Sequence, residues 1–193
     1  LTLDTVAAES DIPIIGVINA GARTAVESTR NGRIGVIGTE ATIGSGIYTE
    51  VMKKMKPGIQ VFGKSCPLFC PLVEEGWLHD PVTDEVASRY LSVLKEKYID
   101  TLVMGCTHYP LIRSTIRKVM GDKVNLVNPA YETAIELKNL LERDNLANKC
   151  DVDSPSSMYR FYVSDAEEKF KLFANSILPF DITMTKQINI ENY

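Results

Sequence analysis

RIGVIGT, Arg33 to Thr39, is a short apolar run rich in β-branched residues that closes on a glycine-containing turn. Its length and unbroken apolarity suit a strand buried on both faces, the habit of a parallel sheet. The design recurs along the chain. IPIIGVI (Ile12 to Ile18) is a similar run and is expected to be a buried strand, and IQVFGK, TLVMG and VNLVN (Val124 to Asn128) follow downstream. Between these runs, apolar residues fall at helical spacing around Ala22 to Thr29, Ile43 to Met55, Thr83 to Lys97, Pro110 to Met120 and Tyr131 to Asp144. Strands that alternate with helices of about ten residues or more indicate βαβ units around a parallel sheet, so the class is α/β. The opening LTLDTVAAES has helical spacing without a capping residue ahead of it and is expected to be the end of a helix begun earlier. From Leu146 to Ser157 the chain turns polar, which marks a surface connection or a boundary; YRFYVS, a helix over Ala166 to Leu178 and the extended DITMTKQINI complete it.

Composition narrows the classes of function. With 193 residues and 45% hydrophobic content the chain can bury a core as one domain or two small ones. The balance of 21 Lys+Arg against 25 Asp+Glu, net charge −4, carries no basic cluster of the kind that follows a phosphate backbone, so no nucleic-acid partner is expected. No apolar run approaches the roughly 18 to 20 residues that span a bilayer, and the start lacks the basic and apolar regions of a signal peptide. No membrane association is expected, and the compartment predicted is the cytoplasm. There the four cysteines, Cys66, Cys70, Cys106 and Cys150, are thiols, each either a small core side chain or chemistry.

The stretch GCTHYP, Gly105 to Pro110, directly after TLVM, points to chemistry. Ligands of open α/β sheets bind beyond the carboxyl ends of the strands, where Cys106 is placed. Pro110 suits the first turn of a helix, so the residues before it should sit among unpaired backbone N–H groups and the positive end of the dipole, which favour a thiolate and an anion. His108 adds a group able to share a proton near neutral pH, and Thr107 a hydroxyl for a substrate carboxylate. A cysteine after an apolar strand can also be core filler; the full hexapeptide favours the chemical reading.

Two further stretches bear on it. CPLFCPLVEEGW, Cys66 to Trp77, offers two thiols and the pair Glu74 and Glu75, which is either a solvated loop or the source of a carboxylate that orients His108. Cys66 and Cys70 with Cys106 and His108 are zinc-type ligands, but the spacing is poor and proline follows each of the first two, so no metal is expected. GTEATIGSGIY, Gly38 to Tyr48, has the look of a glycine-bearing anion loop with hydroxyls at Thr39 and Thr42; no GK[ST] follows, so it is not a phosphate loop, and Thr42 can equally cap a helix.

GCTHYPLI, GVIGTEATIGSGIY, CPLFCPLVEEG, NPAYETA and FYVSDAEEKF together resemble, in that family's order and over essentially the whole chain, the glutamate racemases of the aspartate/glutamate racemase superfamily. The resemblance implies a cofactor-independent isomerase that supplies D-glutamate for peptidoglycan. In it two cysteines face each other across the substrate α-carbon, one removing the proton as thiolate and the other delivering a proton to the opposite face. Carried over, Cys106 matches the second catalytic cysteine, His108 its acid/base helper and Glu74 the carboxylate paired with that histidine; Thr107, Thr39 and Thr42 match residues that hold the amino acid. The resemblance also allows a homodimer.

The departures are as specific. The family's first cysteine lies in a CNT-type motif shortly upstream of the LTLDTVAAES region, with Asp-Ser and Tyr-Gly substrate loops further upstream, and none of these stands in the sequence. Cys66 belongs to the family's own CPLF motif, and position 70 is commonly valine, so neither fills the vacancy. The family fold implies two similar α/β domains with the active site between them. Residues 21–128 would form one, and residues 1–20 with 129–193 would form part of the other, incomplete here. One of two bases is present, and the chain is expected to be inactive by itself. Two alternatives stay open: a racemase of a related amino acid, or a non-catalytic glutamate-binding protein. Packing is expected for Cys70 and Cys150, and a solvated loop for His79.

Overall fold

The computed structural model describes residues 3–148, 159–182 and 184–192. Strand β1 (Arg33–Gly38) is buried from its second residue onward and pairs on both sides, as an apolar run without polar alternation requires. β2 (Gln60–Ser65) lies on one side of it, in register from Arg33 opposite Gln60 to Gly38 opposite Ser65. β3 (Thr101–Met104) lies on the other, with Ile34 opposite Thr101 and Ile37 opposite Met104, and β4 (Asn125–Val127) pairs beyond β3. All pairings are parallel, and the sheet order is β2-β1-β3-β4.

Parallel neighbours need crossover connections, and helices supply them. Helix α1 (Leu3–Ala8) is followed by α2 (Val17–Ser28), which enters β1; α3 (Glu40–Gly44) and α4 (Ile47–Met55) join β1 to β2. α5 (Phe69–Glu74) and α6 (Pro81–Lys95) join β2 to β3, α7 (Arg113–Met120) joins β3 to β4, and α8 (Pro129–Arg143) follows β4. Ala22 and Ala25 of α2 and Tyr48 and Met52 of α4 close over Ile34, Val36, Val103 and Val127 to form a core on one face. On the other face β1 offers Gly35 and Ile37 beyond its partly exposed first residue, Arg33. Leu94, Ile99 and Leu102 press so close there that a Cβ on Gly35 would stand 2.5 Å from the Ile99 side chain.

The amino ends of β1 and β3 are tied together by Asp100. Its carboxylate accepts from Thr29 Oγ1 (2.6 Å), the Arg30 and Asn31 backbone N–H groups (2.7 and 2.8 Å) and Thr101 Oγ1 (3.1 Å). Burial pushes its pKa up, but these donors more than offset it and hold the carboxyl below the usual carboxylate range.

Several expectations need correction. Ile12 to Ile18 is not a strand: residues 13–16 are irregular and α2 begins at Val17. Pro13 withholds an N–H, and no described strand lies beside the run to form a ladder with it, so Ile12 and Val17 remain largely exposed. The helix expected over Ile43 to Met55 is two helices, because Gly46 takes a left-handed φ of 67° before α4. Pro110 to Met120 begins as a 3-10 turn, Tyr109–Ile112, before α7.

The backbone divides into two compact units at Ala147/Asn148. The first holds everything above, including α8, which packs on α2 through Thr24 Oγ1 donating to Glu132 Oε2 (3.0 Å). The second, taken by itself, is one βαβ unit: β5 (Phe161–Val163), α9 (Glu167–Ile177) and β6 (Thr185–Gln187), with the strands parallel. Tyr159 stacks on Phe180 with ring centres 5.2 Å apart. Cys150 and much of the polar Leu146 to Ser157 stretch lie outside the described residues. Among those described, no helix is long and apolar enough to cross a membrane.

Candidate active site

β1 leads on to β2 at one side and β3 to β4 at the other, so the connections part above the junction of β1 and β3. The carboxyl ends of two strands at such a parting are the position where open α/β sheets hold ligands. Here the strand ends touch. The Gly105 N–H donates to Ile37 O at 2.7 Å, and a Cβ on Gly105 would lie 2.9 Å from the same oxygen, so only glycine allows the approach. Cys106 follows immediately.

Cys106 Sγ stands 3.8 Å from His108 Nδ1 and His108 Nε2 stands 3.2 Å from Glu74 Oε1, so the imidazole links thiol to carboxylate. Thr107 Oγ1, on an exposed residue, is 3.3 Å from the same Nδ1. Cys106, Thr107 and Glu74 thus converge on the His108 imidazole. Glu74 ends a short helix rather than lying in a loop, while Glu75 and His79 are exposed in the turns that follow.

Cys70 differs from expectation. Read as packing, it is instead half-buried with its Sγ 3.6 Å from Cys106 Sγ. It lies four residues before Glu74 in α5, and that spacing puts both on one helix face, toward the GCTHYP loop. Burial pushes the Cys70 thiol up to about 12, reinforced by its hydrogen bond with Cys106 and by the Cys106 and Glu74 charges. Cys66, by contrast, is fully buried, its Sγ 3.6 Å from Lys64 O and its pKa pushed up to about 12 by burial, which leaves it a core side chain. Its backbone serves the site's base: Tyr109 Oη donates to Cys66 O at 2.9 Å, and Phe69 packs edge-on against the Tyr109 ring. Among the described residues, Cys70, Cys106 and His108 bring metal-capable ligand atoms within 4.8 Å of one another, a convergence that sequence spacing did not suggest.

The hydroxyls Thr39 and Thr42 stand at the end of β1. The capping role expected for Thr42 belongs to Thr39, whose Oγ1 accepts from the Thr42 N–H (3.2 Å) and lies 3.0 Å from Thr42 Oγ1. A Cβ on Gly38 would be 3.0 Å from Thr42 Cγ2 and 3.5 Å from Gly105 O, so the two loops meet above the β1–β3 junction.

Comparison with known proteins identifies the family. The family model described as Asp/Glu/Hydantoin racemase matches residues 1–135. A glutamate racemase of Oceanobacillus iheyensis is 42% identical over 193 residues, covering 98% of this chain and 69% of the relative; one of Chlorobaculum tepidum is 44% identical over 173 residues, covering 87% and 62%. The chain therefore spans about two thirds of the length of these relatives. Among solved structures, a glutamate racemase isoform of Bacillus anthracis superposes with a TM-score of 0.88 at 33% identity, and the Francisella tularensis enzyme in complex with D-glutamate with 0.87 at 33%; each comparison covers 98% of this chain and 69% of the other. The chain belongs to the Asp/Glu/Hydantoin racemase family, on its glutamate racemase branch.

Proposed function

We propose that these residues form one half of a two-base centre that interconverts L- and D-glutamate in the cytoplasm, without a cofactor, for peptidoglycan synthesis. The observation that carries the reading is the chain Cys106–His108–Glu74 at the carboxyl ends of β1 and β3. Cys106 as thiolate takes the α-hydrogen: the C–H bond breaks, an S–H bond forms, and the electron pair spreads into the substrate carboxylate. His108 shares a proton with that sulfur through Nδ1, and Glu74 holds Nε2, fixing the ring's orientation. Thr39, Thr42 and Thr107 supply hydroxyls for the amino acid.

Racemisation needs a second base on the far face of the carbon. With near-attack distances of about 3 to 3.5 Å on each side, the two sulfurs must stand roughly 6 to 7 Å apart. Cys70, at 3.6 Å from Cys106, is too close to serve. The second thiol is assigned to the CNT-type motif that the resemblance places outside these residues, and the 193 residues alone should not racemise glutamate. In the same reading, residues 21–128 are one contiguous domain and residues 1–20 and 129–193 belong to its counterpart. The placement of the whole four-stranded sheet within Arg33–Val127 supports this. A homodimer, read by sedimentation, is the assembly carried with it.

The test is exchange of the glutamate α-hydrogen in deuterium oxide. The full-length protein should exchange it from both enantiomers and interconvert them, whereas Cys106→Ala, left with a base on one face only, should not racemise glutamate; retained racemisation in that variant would sink the role of Cys106. Glutamate binding without exchange in the unmodified protein would favour a binding protein, and exchange with another amino acid in preference a related racemase.

A further inference from the structure

We infer that Cys70, Cys106 and His108 form a three-ligand site for a thiophilic divalent cation, zinc above all, which is not a cofactor of racemisation but an inhibitor that occupies the base. The ligand set is two thiols and one imidazole, the chemistry that selects zinc over magnesium or calcium. The spacing fits. With Zn–S near 2.3 Å and Zn–N near 2.0 to 2.1 Å, a tetrahedron has an S···S edge of about 3.8 Å and an S···N edge of about 3.6 Å. The observed distances are 3.6 Å between the sulfurs and 3.8 Å from Cys106 Sγ to His108 Nδ1, with all three ligand atoms within 4.8 Å. The outer partner fits as well. A metal-bound imidazole commonly gives its other N–H to a carboxylate, and His108 directs Nδ1 at the sulfur while Nε2 meets Glu74 Oε1 at 3.2 Å. Three protein ligands leave the fourth position to water.

On binding, each thiol gives its proton to solvent as an S–Zn bond forms, and nothing is oxidised. Bound to the cation, Cys106 shares its thiolate charge with the metal and is too weak a base to remove the α-proton. The inhibition, though not the binding, rests on the role proposed for Cys106 above.

Cobalt(II) and zinc chloride are the probes. Titrated with cobalt under a phosphine reductant, the 193-residue chain should develop thiolate-to-metal charge-transfer and tetrahedral d–d bands that saturate at one equivalent and are discharged by zinc. Cys70→Val should lose about half of the thiolate band and at least about tenfold in zinc affinity, as should Cys70→Ser. In the unmodified chain, zinc should slow iodoacetamide modification of Cys106 at least about tenfold, a readout that needs no variant. Absence of the thiolate band, a spectrum unchanged in both Cys70 variants, or unprotected Cys106 would overturn the site. Zinc binding to a full-length protein that still racemises at its full rate would overturn the inhibition and the role of Cys106 while leaving the site standing.

Discussion

Replacing Asp100 should unfasten the sheet at its amino end, with a cost that depends on what replaces it. Asp100→Ala deletes four accepted hydrogen bonds. Bonds to a charged partner contribute about 1.5 to 3 kcal/mol each, but Arg30 and Asn31 are exposed and water can take over their N–H groups, so the net loss is about 3 kcal/mol. For a chain of this size that is roughly 6 to 12 °C in Tm. Asp100→Asn can keep its carbonyl toward the two backbone donors and turn its amide to the Thr29 and Thr101 hydroxyls; losing only the charge, it should cost about 1 to 2 kcal/mol. The sign with pH follows from the lowered folded pKa. The contribution is complete above the unfolded carboxylate value of about 3.9 and is lost as pH falls through the folded value, so it should hold from pH 7 to about 5 and shrink below that. Urea unfolding followed by circular dichroism, on all three proteins from pH 7 down to the lowest pH at which they fold, measures both effects. Equal destabilisation by Ala and Asn, or a gap to the unmodified chain that stays constant in acid, would refute the brace.

In the full-length protein, His108→Ala should lower the rate of glutamate α-hydrogen exchange by about 10²- to 10⁴-fold. Glu74→Gln, which only loosens the imidazole, should cost about tenfold in kcat with little change in KM; a change confined to KM would speak against positioning. Gly105→Ala drives a Cβ against the Ile37 carbonyl oxygen at 2.9 Å, so about 1 to 3 kcal/mol of stability and most of the activity should be lost together. Tyr109→Phe removes the donor to Cys66 O, which keeps the Phe69 N–H, so the urea midpoint should fall by the equivalent of only about 1 kcal/mol.

The inner strands β1 and β3 were legible because a parallel sheet buried on both faces leaves uninterrupted apolar runs, and the edge strands β2 and β4 because shorter apolar runs recur between the helices. Ile12 to Ile18 has the same composition and no ladder, since a strand is made by the neighbour beside it and composition does not record the neighbour. α5 was hidden by Pro67 and Pro71, which read as loop. Pro71 in fact occupies the helix's first turn, where its absent N–H has no partner to lose. That one oversight concealed the most consequential side chain: once residues 69–74 are helical, the four-residue spacing from Cys70 to Glu74 places the extra thiol beside Cys106. The pair Glu74 and Glu75 was legible as a source of a carboxylate for His108, but the choice of Glu74 came from resemblance, because nothing in local sequence joins residues separated by 34 positions.

The sheet order has a consequence for how the molecule tolerates change. The Asp100 brace fastens the amino ends of β1 and β3, and the thiols stand at their carboxyl ends, separated by the length of the strands. Variation introduced around Lys56–Ile59 or Gly121–Val124 samples foldability with little bearing on the reaction, whereas variation at the exposed carboxyl-end positions Glu40, Glu74 and Thr107 samples reactivity on a frame already secured. Stabilising and specificity-altering substitutions selected in separate libraries should therefore combine additively, and a lineage could exchange one substrate acid for another without first acquiring spare stability.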